Sequence, residues 1–131
     1  TWGLDPLRRD EVLEMISGLS ESGKTVLYTS HIIPEIEKIA DVFSIMYKGE
    51  ILYSGELKAL DERFALFCLP AGTELERNEY LAVVKETGAI KVLTDDKNTM
   101  EKLGKIAGAK EEKVDLEVFF SLLVRGNKNA L

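Results

Sequence analysis

The run T-V-L-Y-T-S-H at residues 25–31 limits the fold of this chain more than any other stretch. Its apolar centre, residues 26–28, favours β structure, the turn signal Ser22-Gly23 precedes it, and it is too short for a helix. A short apolar run of this kind predicts a buried strand of a parallel sheet. Since proline is tolerated only in the first turn of a helix, Pro34 predicts that a helix begins directly after the strand.

His31 is the only histidine in the chain, and it lies in the predicted strand-to-helix turn. In open α/β sheets, ligands bind beyond the carboxyl ends of the strands, and His31 would lie at such an end. A lone histidine in a turn can also be an ordinary polar residue. Position alone therefore does not decide between a functional histidine and one without a functional role.

Other residue types that carry chemistry are few. Cys68 lies in an apolar run without a second histidine to activate it, so a buried and inert thiol is expected. The carboxylate pairs at residues 95–96 and 111–112 have no histidine or cysteine beside them, and no metal site is predicted. No loop that holds phosphates through its backbone amides and a lysine is expected in this chain.

The charge balance argues against one large class of function. The 17 Lys and Arg residues are outnumbered by 23 Asp and Glu residues, the net charge is −6, and the sequence pI is near 4.9. Nucleic-acid binding needs a basic surface, so no nucleic-acid partner is expected. No apolar run approaches the roughly 20 residues that cross a bilayer, so any membrane link is expected to come through partner proteins.

Several short motifs follow one another in the first half of the chain: G-L-D-P at residues 3–6, T-S-H at 29–31, A-D-V-F at 40–43 and Y-K-G-E-I-L-Y-S-G at 47–55. In this order and spacing they resemble the C-terminal part of the nucleotide-binding domain of an ATP-binding cassette (ABC) transporter. The resemblance covers about residues 1–62. Beyond them, only V-D-L-E-V-F-F at residues 114–120 is similar, to the tail of many exporter-type cassettes.

The resemblance implies roles for two groups of residues. Gly3, Leu4, Asp5 and Pro6 would form the D-loop, which faces the site of the other subunit at the cassette dimer interface. His31 would be the switch histidine of the H-loop, a catalytic residue that contacts the γ-phosphate of ATP and helps to place the attacking water. An imidazole suits this role because it can donate to a phosphate and accept from water.

The resemblance also implies a fold, cofactors and partners. The expected fold class is α/β: the C-terminal part of a P-loop NTPase (RecA-like) ABC core, followed by a small appended α/β unit. Because the sequence opens inside a motif, we expect this chain to be a fragment of a longer parent protein. The parent would bind ATP and Mg²⁺ through loops upstream of this chain. The fragment alone is expected to bind neither and to be inactive. The parent would act in the cytoplasm, peripheral to the inner face of the cell membrane. Its partners would be membrane permease subunits and a second nucleotide-binding domain.

Periodicity predicts the remaining elements. In residues 1–62, the cassette remnant, we expect helices at 7–20, 34–40 and 56–63 and a hairpin of strands 42–47 and 51–54. In the second of these helices, Glu35 is predicted to face outward. In residues 63–131, predicted to form a small accessory domain, we expect strand 64–69, helix 74–86 capped by Gly88, strand 90–94, helix 99–107, strand 112–114 and a last helix capped by Asp115. This β-α-β-α-β-α order predicts right-handed crossovers, and a ferredoxin-like unit is one arrangement that it allows.

The sequence is compatible with two functions. The first is part of the ATPase subunit of an ABC transporter, and the second is a binding or regulatory module that acts through residues 64–124 in protein–protein contacts. A stand-alone hydrolase built on His31 lacks a nucleophile or paired carboxylate near it in the sequence. The strand at residues 26–28 would also lack its neighbour here. Since unpaired strand edges pair with other chains, the chain is predicted to self-associate as a dimer.

Overall fold

The computed structural model describes residues 5–75 and 80–129. Within these residues the helices are α1 (Pro6–Glu21), α2 (Ile33–Ile39), α3 (Ala59–Arg63), α4 (Lys97–Gly104) and α5 (Leu116–Asn129). The strands are β1 (Val42–Tyr47), β2 (Glu50–Glu56), β3 (Ala65–Pro70), β4 (Ala82–Glu86), β5 (Ala89–Thr94) and β6 (Lys110–Glu112). The α/β class is therefore confirmed.

The first sheet is the predicted hairpin. β1 and β2 pair in the antiparallel sense, and Tyr47 lies opposite Glu50 at the closed end. The two residues of the loop, Lys48 and Gly49, have φ values of 50° and 78°. Positive φ at both positions is the signature of the two-residue hairpin turn whose twist matches that of the strands. Local turn chemistry therefore accounts for the hairpin.

The second sheet has four antiparallel strands in the order β4-β5-β3-β6. Side chains alternate across it, as strand geometry requires. Leu66 of β3 lies in a core that includes Phe119 of α5 and the inward side of the hairpin. Its neighbour Phe67 lies in a second core with Leu103 of α4. The sheet is thus covered by α5 and the hairpin on one face and by α4 on the other.

Phe119 lies at the centre of the larger core and is fully buried. Its ring centroid is 5.0 Å from Tyr53 of β2, 5.0 Å from Phe64 and 6.1 Å from Phe43 of β1. Aromatic rings at these separations stabilise one another beyond the area that they bury. This core contains side chains from both sides of residue 62, and the division into residues 1–62 and 63–131 stays a prediction.

Residues 24–30 do not form the predicted parallel strand. They have no regular secondary structure, and Leu27 is 93% exposed and Val26 37% exposed. Every strand pair in the described residues is antiparallel. β-forming residues make a strand only where a neighbouring backbone pairs with them, and β1, the next strand along the chain, pairs with β2 instead. The strand edge on which the dimer prediction rested is therefore not formed.

The predicted helix at residues 74–86 is also wrong. Among its described residues, 82–86 form β4, and Gly88 lies in the turn to β5 with φ 82° rather than at a helix end. Ala82 and Val84 face the core with α5, whereas Val83 packs against the core with α4. Pairing with β5 and burial on both faces outweigh the helical spacing of the apolar residues. In the described residues from β3 onward the order is β-β-β-α-β-α, and a ferredoxin-like unit is not confirmed.

The other elements agree with the sequence analysis to within a few residues. α1, α2, α4 and α5 lie where the periodicity predicts them, and β3, β5 and β6 lie at the three predicted strands of the second half. The helix expected at 56–63 is shorter, because β2 extends to Glu56 and α3 begins at Ala59. No helix in the described part of the chain has both the length and the apolar composition needed to cross a membrane.

Candidate functional site at the His31 turn

Asp5 is the N-cap residue of α1, as predicted. Its side chain accepts a hydrogen bond from the backbone N–H of Arg8 at 2.9 Å, and Pro6 occupies the first helical position. A cap of this kind satisfies one of the N–H groups that a helix start leaves without an intrahelical partner. Gly3 and Leu4, the other two residues assigned to the D-loop, lie outside the described residues.

His31 lies in the turn that leads from the extended segment 24–30 into α2, and its side chain is exposed. Ile32 is the N-cap residue of α2, and Pro34 is in the first helical turn, as the sequence predicts. The predicted strand before His31 is absent, so the turn is shaped by side-chain hydrogen bonds rather than by a sheet. These hydrogen bonds converge on Glu35.

Glu35 is 2% exposed and lies at the centre of a polar cluster. Its Oε2 accepts the hydroxyl of Tyr28 at 2.6 Å and the hydroxyl of Ser30 at 3.2 Å. Its Oε1 lies 3.3 Å from Nε of Arg9, which projects from α1. Burying a carboxylate is costly unless such partners replace the water that it loses. The cluster therefore holds three segments together: α1, the extended segment and α2.

The prediction that Glu35 faces outward is wrong. α2 packs against both α1 and α5, so more than one side of this short helix is covered. The outward prediction treats α2 as a helix with one covered side, marked by the apolar residues Ile36 and Ile39. The alternation of Tyr28 and Ser30 along an extended segment, with an acid one helical turn beyond, is the sequence signal that could have indicated a shared partner.

The two predicted site elements are connected through this cluster. The backbone N–H of Arg9 donates to the carbonyl of Asp5 at 3.0 Å, and the side chain of Arg9 pairs with Glu35. Glu35 in turn accepts from Ser30, the residue before His31. A second contact between the helices, Lys38 Nζ to Asp10 Oδ1 at 3.3 Å, is exposed, and such pairs add little stability.

A cavity elsewhere in the described residues does not have His31 in its lining. It measures about 580 Å³ and is bordered by the β1–β2 hairpin, α3 and the residues that lead into α5. Its charged lining mixes carboxylates such as Asp41 and Asp61 with Lys58 and Lys113. No group of three or more His, Cys, Asp or Glu side chains in the described residues could hold a metal ion. Cys68 on β3 is a free thiol and is half-buried.

The arrangement at the turn limits the chemistry available there. The exposed imidazole of His31 is accessible to a ligand such as a phosphate, to which it can donate. The hydroxyls of Tyr28 and Ser30, which precede His31 in the chain, donate to the buried carboxylate of Glu35. The geometry therefore suits a histidine that makes one contact to a reacting group, while other segments supply the remaining contacts.

Comparison with known proteins gives a consistent picture. No family model matches the chain. An ABC transporter ATP-binding protein of Synechocystis sp. is 42% identical over 83 residues, which make up 61% of this chain and 23% of that protein. A second ABC transporter ATP-binding protein, from Nostoc sp., is 47% identical over 58 residues, 44% of this chain and 17% of that protein. The linearmycin resistance ATP-binding protein of Bacillus subtilis is 42% identical over 55 residues, 42% of this chain and 18% of that protein.

The resemblance to ABC transporter ATP-binding proteins is thereby confirmed. The matched part of the chain spans about a fifth of the length of these curated relatives, between 17% and 23% of each.

Proposed function

We propose that this chain is part of the ATPase subunit of an ABC transporter, which couples ATP hydrolysis to transport across a membrane. One observation carries the proposal: an exposed histidine turn is tied to the helix capped by Asp5, in a chain similar to ABC transporter ATP-binding proteins. His31 contacts the γ-phosphate and helps to place the attacking water. The D-loop, Gly3 to Pro6, faces a second nucleotide-binding domain.

The remainder of the site belongs to other segments of the proposed parent. ATP and Mg²⁺ are held there by a phosphate-cradling loop and by acidic ligands that other segments supply. Residues 18–25, G-L-S-E-S-G-K-T, fit the spacing G-x-x-x-x-G-K-[ST], but residues 18–21 belong to the end of α1 and residues 24–30 are extended, whereas a phosphate-cradling loop lies between a strand and the helix that follows it. The chain alone therefore binds ATP too weakly to measure and is inactive. The parent lies in the cytoplasm, at the inner face of the membrane, against permease subunits.

The experiment uses the full-length parent with His31→Ala. We expect kcat for ATP hydrolysis to fall by at least about tenfold, whereas the Kd for ATP changes by less than about twofold, because the lost contact acts on the transferred group. Glu37→Ala, an exposed change on the same helix, is the matched control and should leave both values unchanged. Turnover of the His31→Ala enzyme within about twofold of the wild-type value would remove His31 from the mechanism.

No observation favours the binding module at residues 64–124 over this proposal. The large apolar side chains that are exposed in the described residues all precede residue 52. Protein-binding surfaces commonly present such side chains. The second half of the chain instead directs its apolar residues into the two cores.

Self-association of the isolated chain also belongs to the proposal, although its basis changes. The strand edge at residues 26–28 is absent, but Leu7 and Met15 of α1 are 72% and 68% exposed, and Leu27 is 93% exposed. A second copy that covers these side chains would remove apolar area from water. Light scattering should therefore report a dimer that Leu27→Lys weakens. A monomer at about 100 µM would contradict the dimer.

A further inference from the structure

Glu35 has no assigned part in the proposed function, although it is a nearly fully buried carboxylate four residues after His31. An apolar side chain at this position could fill the space without the cost of removing a carboxylate from water. What an apolar residue could not do is hold several polar groups at defined distances. The contacts of Glu35 are therefore the observation that needs an explanation.

The first set of contacts spans the His31 turn. Tyr28 and Ser30, which precede His31, both donate to the same oxygen of Glu35, which follows it. The hydroxyl of Ser30 also accepts the backbone N–H of Ile32 at 2.9 Å. Residues on each side of His31 are thus held together. These bonds close the turn, and the imidazole of His31 stays exposed.

The second contact connects the turn to α1. Arg9 reaches the other oxygen of Glu35 at 3.3 Å, and its backbone N–H is bonded to the carbonyl of Asp5. A shift of the start of α1 therefore displaces the guanidinium, and through the carboxylate it displaces the hydroxyls that hold the His31 turn. The two contacts use different oxygens, so the carboxylate can serve both at once.

We infer that Glu35 is a positioning residue: it holds the His31 turn in one conformation and in register with the Asp5 end of α1. The inference rests on the proposed function of His31 in phosphoryl transfer. Transfer of a phosphoryl group depends on placement more than on covalent help from the protein, and a displacement of about 1 Å can cost about 100-fold in rate. Glu35 does not touch the reacting atoms and acts only through the backbone that carries His31.

The first experiment uses this chain and does not depend on the proposed function. Because His31 is the only histidine, its imidazole gives a single set of NMR ring signals. We expect Tyr28→Phe, which removes one hydroxyl, and Glu35→Gln, which weakens the contact to Arg9, to shift or broaden these signals. Glu37→Gln, an equal loss of charge on the exposed side of α2, should leave them unchanged.

Unchanged core methyl signals identify the variants that keep the fold, and the conservative Tyr28→Phe keeps the test available if Glu35→Gln unfolds. His31 signals that superimpose on those of the wild type in a folded Tyr28→Phe variant would overturn the inference.

The second experiment measures ATP turnover in the full-length parent. We expect Glu35→Gln to lower kcat by about tenfold with little change in the Kd for ATP, and to have almost no further effect in a His31→Ala background, because both changes remove the same placed contact. Additive losses in the double variant would overturn the positioning role. If His31→Ala alone leaves kcat unchanged, the proposed function fails, and the NMR result still decides whether Glu35 orders the turn.

Discussion

At the start of α4, Asp96 accepts two hydrogen bonds from a single residue. The backbone N–H of Thr99 donates to its Oδ2 at 2.9 Å, and the hydroxyl of Thr99 donates to the same oxygen at 2.7 Å. The hydroxyl bond, followed by the backbone bond, lowers the pKa of Asp96 below its ordinary value, because both stabilise the ionised form. Asp96 is thus a capping carboxylate whose contribution depends on its charge.

This lowered pKa gives a pH-dependent contribution to stability. A carboxyl whose pKa is depressed in the folded state stabilises the fold above its ordinary pKa, near 4, and loses that contribution as the pH falls through the folded-state value. We therefore expect Asp96→Ala to lower the free energy of unfolding at pH 7, and the difference from the wild type to shrink at pH 3. Urea unfolding followed by circular dichroism measures both values.

The adjacent Asp95 provides the control for this measurement. It is exposed and pairs with Arg63 at 3.5 Å across the surface, a contact that is worth little in water. Asp95→Ala should therefore change the free energy of unfolding only slightly at either pH. A deficit of the Asp96→Ala variant that stays constant from pH 7 to pH 3 would show that the cap does not act through its charge.

At the scale of single elements, two glycines lie at positions with different backbone conformations. Gly88 lies in the turn between β4 and β5 with φ 82°, in the left-handed region that side chains disfavour. Gly18 lies within α1, whose backbone suits any helix former. A Cβ atom added at either position would meet no other atom within 4 Å. Backbone conformation alone therefore separates the two sites.

Substitution by alanine should change stability in opposite directions at these sites. We expect Gly18→Ala to raise the free energy of unfolding by up to about 1 kcal/mol, since alanine is the better helix former. Gly88→Ala should lower it by about 1–2 kcal/mol, the cost of a left-handed conformation for a residue with a Cβ atom. Thermal unfolding of the two variants tests both values. A Gly88→Ala variant at least as stable as the wild type would show that the β4–β5 turn does not need a glycine at its left-handed position.

At the scale of the whole molecule, the aromatic cluster around Phe119 unites the hairpin with the four-stranded sheet. The Tyr53 and Phe64 rings meet Phe119 from β2 and from the residue before β3. Leu66 and Val84 of the sheet belong to the same core. A defect in this cluster should therefore affect both sheets, although they share no backbone hydrogen bonds along their strands.

Phe119→Ala tests that connection. Removal of a fully buried phenylalanine side chain should lower the free energy of unfolding by about 3–5 kcal/mol, since a cavity is added to the lost burial. Hydrogen exchange should show that amides in β1–β2 and in β4–β5 lose protection together. Protection lost in the hairpin and retained in the sheet would instead support two independent units that divide near residue 62.

Much of the fold follows from interactions between residues that are close in sequence. The caps at Asp5 and Asp115, the start of α2 at Pro34 and the β1–β2 turn were all predictable, because each depends on a few neighbouring dihedral angles and side chains. The likeness to ABC transporter ATP-binding proteins was predictable for the same reason, since it is carried by short motifs in order. The position of His31 in a turn before a helix belongs to this group.

Tertiary structure decided what depends on distant partners. Residues 24–30 have the composition of a strand and remain unpaired with any strand, whereas residues 82–86 have a helical pattern and become β4 because β5 pairs with them. Glu35, a charged residue on a short helix, is buried because Arg9, Tyr28 and Ser30 converge on it from two other segments. Hydrogen-bond pairing and the cost of desolvation depend on which groups are in contact in the folded chain. The periodicity of the sequence does not show which distant residues make those contacts.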